Sequence, residues 1–76
     1  MHYVVLFSAK KHGIHRSDML NAIDNSINEI PQTHSMLIVG PTLAGNLIEV
    51  GFEEGTNFSV IFHAMKVQPR NLRRRT

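Results

Sequence analysis

The chain has 76 residues, no cysteine and a net charge of +2. That length makes one thin-cored domain, since a chain this small buries only about 60% of its unfolded surface. The lack of cysteine excludes a disulfide framework and thiolate chemistry, and points to a reduced, cytoplasmic compartment. The apolar runs "YVVLF" and "MLIV" fall far short of the roughly 20 residues of a membrane span, so no membrane association is expected. Nor is a signal peptide expected, because the N-terminus has no basic leader or cleavage site.

"HYVVLFS" (2–8) is rich in β-branched and aromatic residues and reads as a strand. "AKKHG" (9–13) reads as one helical turn closed by Gly13. Ser17 and Asp18 open a longer helix, where a side-chain oxygen can cap free N–H groups and a carboxylate suits the dipole. Its apolar stripe is Met19, Ile23, Ile27 and Ile30, and Pro31 stops it. Three strands follow, over 35–39, 46–52 and 57–65, separated by the turns "GPTLAG" (40–45) and "EEGT" (53–56). Pro69 opens a last helical turn containing "RNLRRR". The expected fold is α+β, in the order β-α-α-β-β-β. A short and a longer helix pack on one face of an antiparallel sheet of three to four strands.

Side chains alternate along a strand. Ile48, Val50 and Phe52, and then Phe58, Val60, Phe62 and Ala64, form two apolar faces that should meet the helices. For this, position 53 pairs with 57 and 47 with 63, which leaves a loop of 54–56 with Gly55 at positive φ. Glu49 and His63 then share the other face as diagonal neighbours, roughly 7 Å apart between Cα atoms. Leu37, Val39, Leu47, Ile61 and Met65 lie on that face too, which is too apolar to stay bare in so small a domain.

A carboxylate beside an imidazole fixes its tautomer and suits it to acid or base work, so His63 and Glu49 are the leading catalytic candidates. His12 and His15 in "HGIH" look like half a metal site, but Gly13 breaks the helix between them and no further ligands lie nearby. No metal is expected. "GPTLAG" has the glycine spacing of a phosphate loop without its Lys and Ser/Thr, and reads as a hairpin turn. No serine sits in a nucleophile elbow.

The charge is uneven. Residues 66–76 hold Lys66, Arg70, Arg73, Arg74 and Arg75, five of the eight Lys and Arg, with no acid. Such a cationic tail on the single domain (1–76) suggests a polyanionic or acidic partner. With Lys10 it forms the expected RNA-binding set.

Together "KKHGI", the following helix, "LIVGPTLAGNLIEV" and "FHAMKVQPRNLR" resemble small toxins of bacterial type II toxin–antitoxin modules. The likeness is to the BrnT-like kind within the RelE/ParE-like group. It spans about residues 8–73 and is carried by Lys11, His12, Gly13, Gly40, Gly45, Glu49, Val50, His63, Ala64 and Met65. It implies a compact α+β domain that cleaves RNA as an endoribonuclease (mRNA interferase), with no cofactor and with a cognate antitoxin as partner. The 2′-OH would be the nucleophile, with His63 or Glu49 as base and Lys11, His12 and Arg70 in the acid and charge-stabilising roles. Two other functions fit the same residues: a non-catalytic nucleic-acid-binding module, and an interaction protein that forms a homodimer through its apolar sheet face.

Overall fold

The computed structural model describes residues 2–72. It is α+β. Strand β1 (Tyr3–Val5) leads into helix α1 (Phe7–Lys10) and helix α2 (Arg16–Asp24). Strands β2 (Asn28–Pro31), β3 (Met36–Pro41), β4 (Leu47–Glu54) and β5 (Ser59–Lys66) follow, and helix α3 (Pro69–Leu72) ends the described chain. Among the described residues, no helix is long and apolar enough to cross a membrane.

The sheet has five strands in the order β1-β5-β4-β3-β2 and is mixed, because β1 pairs parallel to β5 while the other pairs are antiparallel. This corrects the expected antiparallel sheet of three to four strands. The extra strand is β2, which falls where the long helix was expected to continue. Helix α2 stops at Asp24, with Asn25 as its C-cap. Asn25 and Ser26 favour local backbone hydrogen bonds over helix propagation, and the Asn25 amide bonds back to the Asn21 carbonyl. The chain then pairs with β3, beginning with the Ile27 N–H on the Val39 carbonyl. Thus Met19 is buried in the core, whereas Ile27 is 64% exposed and Ile30 is buried within β2. The helical spacing ran on through a segment that changes structure. Pro31 is tolerated because β2 is an edge strand.

The capping also differs. His15 occupies the N-cap of α2 without a side-chain bond. Asp18 lies in the first turn, where its carboxylate suits the helix dipole, and its Oδ1 accepts the Leu43 N–H at 2.9 Å. That bond pins α2 to the β3–β4 turn.

Ala9, Met19 and Ala22 of the helices pack on Ile38, Ile48, Val50, Phe52, Ile61 and Ala64 of the sheet. Contact is closest at Gly40, where a Cβ would lie 2.1 Å from the Ala22 carbonyl oxygen. Tyr3 adds an edge-on ring contact with Phe52, at 6.1 Å between centroids.

The β4–β5 register departs from expectation. Glu54 faces Ser59, so the turn covers 55–58, and the positive-φ glycines are Gly13 and Gly45 rather than Gly55. A bulge follows: Phe52 pairs with Ile61 and Gly51 with His63, which leaves Phe62 as the extra residue. It splits the parity of β5. Ser59 and Ile61 are on the helix side before it, and Ala64 after it. Phe62 therefore does not join the helix-side core. A Cβ on Gly51, which points away from the helices, would meet both the Phe62 ring and the His63 Cβ. The bulge thus sends two successive side chains to one face. Ser8 of α1 donates its hydroxyl to the Phe62 carbonyl at 2.8 Å, which anchors the bulge from the helical side.

Candidate active site

Glu49 and His63 come together on the sheet face opposite α1 and α2. Glu49 faces Met65, and Gly51 faces His63, so the pair is diagonal. The His63 Nε2 lies 2.8 Å from the Glu49 Oε2. The Glu49 side chain is 1% exposed and the His63 side chain 29%.

Residues 67–72 fold back over this face. Glu49 Oε1 accepts the Gln68 backbone N–H at 2.9 Å and the Asn71 Nδ2 at 2.8 Å, and Oε2 also accepts the Gln68 Nε2 at 3.1 Å. From β2, the Asn28 Nδ2 donates to the Asn71 carbonyl at 3.0 Å. Helix α3 is therefore tied to β4 and β2 at once, and Asn71 is buried.

Burial pushes the Glu49 carboxyl up, but bonds from the Gln68 N–H and the His63, Asn71 and Gln68 side chains outweigh it and hold it below its ordinary value. An ionised carboxylate only accepts hydrogen bonds. This assigns a proton to His63 Nε2 and leaves the neutral ring's lone pair on Nδ1. Four donors already occupy the Glu49 carboxylate, which lines the cleft but is almost fully buried. Of the pair, His63 is the accessible member.

The cleft beside His63 measures about 240 Å³. Gln32 and Ser35 line it from the β2–β3 turn, Phe62 from the bulge, and Gln68 and Arg70 from the C-terminal segment. Of the residues expected to bind RNA, Arg70 lines this cleft. Lys66 sits at the end of β5 by a separate cleft lined by Ile14 and Leu47. Lys10 lines a third with His15 and Arg16 on the helical layer. Lys11 and His12, in the exposed turn after α1, do not line the His63 cleft either. Arg73, Arg74 and Arg75 lie outside the described residues.

Sequence reasoning did not single out Gln68, Asn71 and Phe62. Gly51 was the available signal for Phe62, since a glycine inside a strand pattern marks a bulge or a close approach. The amides of Gln68 and Asn71 had no such marker. Among the described residues, no three His, Asp or Glu side chains are grouped to hold a metal ion.

Comparison with known proteins returned no family model, no curated relative and no solved structure that matches the chain. The likeness to toxins therefore rests on the sequence motifs alone.

Proposed function

We propose that the chain is a ribonuclease toxin that cleaves single-stranded RNA by general base catalysis at His63. The observation that carries this reading is the half-open His63 imidazole, fixed through Nε2 by a buried carboxylate and set in a cleft with Arg70. His63 Nδ1 takes the proton of a ribose 2′-OH, and the oxygen attacks the adjacent phosphorus. Glu49 stabilises the imidazolium that forms, while the Arg70 guanidinium offsets the charge building on the phosphoryl oxygens. The bond to the 5′ oxygen breaks, leaving a 2′,3′-cyclic phosphate. The departing oxygen takes its proton from water in the cleft, since Lys11 and His12 are not at hand to supply it. Basic residues outside the cleft hold the RNA backbone through salt-sensitive contacts. A protein antitoxin would silence the toxin by covering this cleft, and the reaction would take place on cytoplasmic mRNA.

Induced expression in a bacterium tests the proposal. Growth arrest by the wild type, relieved by His63→Ala at equal soluble protein levels, is the expected result. Salt-sensitive RNA binding by the purified chain without strand scission would instead favour the non-catalytic binding module.

A further inference from the structure

The bulge in β5 places an aromatic ring beside the imidazole on the outer face of the sheet. A Cβ at Gly51 would lie 3.2 Å from Phe62 Cε1 and Cζ and 3.3 Å from His63 Cβ. Ring and imidazole thus flank one bare stretch of backbone. The Phe62 ring is half-buried, so part of it remains open to the cleft. Gln32 and Ser35 also line the cleft and can donate and accept hydrogen bonds, and Arg70 adds positive charge. An aromatic surface beside polar groups and a cation is the arrangement that holds an unpaired base and its phosphate.

We propose that this cleft is a seat for one unstacked nucleobase of single-stranded RNA, stacked on Phe62, with its 3′ phosphate between His63 and Arg70. The inference deepens the ribonuclease reading and rests on it for the placement of the phosphate. The base edge faces Gln32 and Ser35, which makes them the groups that discriminate between bases. Gly51 is required because any side chain there would fill the space that ring and imidazole share. A paired base cannot reach the ring without leaving its helix, so duplex RNA is excluded.

The test uses a 2′-fluoro RNA oligonucleotide with a single 2-aminopurine, which binds but cannot be cleaved through its sugar. Stacking quenches 2-aminopurine fluorescence. The wild type should quench it, and the same probe held in a duplex should not respond. Phe62→Leu and Phe62→Met fill similar space without a ring and should weaken binding about tenfold or more, while Phe62→Tyr should retain it. Thermal melts establish that each variant compared is folded. Undiminished quenching by folded Phe62→Leu or Phe62→Met, or no quenching by the wild type, overturns the base seat. If RNA cleavage then remains His63-dependent, the ribonuclease reading survives alone. Phe62-dependent quenching without cleavage of unmodified RNA by the wild type supports the seat and overturns the catalytic reading.

Discussion

Replacing Glu49 with glutamine keeps the shape of the side chain and removes its charge. The carboxylate accepts four hydrogen bonds, from His63 Nε2, Gln68 N, Gln68 Nε2 and Asn71 Nδ2. The amide keeps one acceptor oxygen for the Gln68 N–H and Asn71, but its NH2 then faces two donors. The His63 ring can change tautomer and the Gln68 amide can turn over, yet each adjustment gives up a bond to a charge. Bonds to charged groups contribute about 1.5–3 kcal/mol and neutral ones about 1 kcal/mol. Relief from burying a charge offsets part of the loss. The expected destabilisation is about 2–3 kcal/mol, which in a domain this small lowers Tm by roughly 10–20 °C. Urea titration followed by circular dichroism measures it. A Glu49→Gln midpoint equivalent to the wild type within about 0.5 kcal/mol would refute the view that this carboxylate holds the C-terminal segment.

Acid should act on the same group. The Glu49 carboxyl is held below its ordinary value of 4.5 in the folded chain. Its contribution to stability is therefore fully present above that value and is lost as pH falls through the folded value. Urea midpoints taken from about pH 5 to 3 should fall more steeply for the wild type than for Glu49→Gln, and equal slopes would contradict this. Gly40→Ala drives a Cβ to 2.1 Å from the Ala22 carbonyl oxygen, where only movement of α2 can relieve the clash. It should cost about 3 kcal/mol or more, read as a large fall in the thermal midpoint. Gly51→Ala meets the Phe62 ring at 3.2 Å, and a flexible side chain can give way there. It should cost only about 1 kcal/mol, yet lower kcat/KM for RNA at least about tenfold by displacing the imidazole.

The Glu49–His63 pair was legible in the sequence, and the reason is parity. The expected pairing set Glu49 against Ile61, whereas it faces Met65. That offset of four residues is even, so His63 stays on the Glu49 face and moves from one diagonal to the other. The helix-side burial of Ile48, Val50 and Phe52 was legible by the same alternation. The bulge was not, because it breaks alternation within β5 and turned Phe62 from an expected core residue into a wall of the cleft. Nor was β2, because Ile27 and Ile30 continue a helical spacing while the backbone has already turned at Asn25. The roles of Gln68 and Asn71 depend on α3 folding over the sheet, which local spacing does not encode. Lys11 and His12 were grouped with the site by motif, but they lie in the turn after α1 and do not line the His63 cleft.

The most direct measurement is the chemistry of the RNA ends left by the purified chain. Incubation with an unstructured RNA should give 2′,3′-cyclic phosphate and 5′-hydroxyl ends at a rate that His63→Ala reduces by at least about a hundredfold. Products with the same ends, released equally fast by folded His63→Ala, would show that this imidazole does not take the 2′ proton.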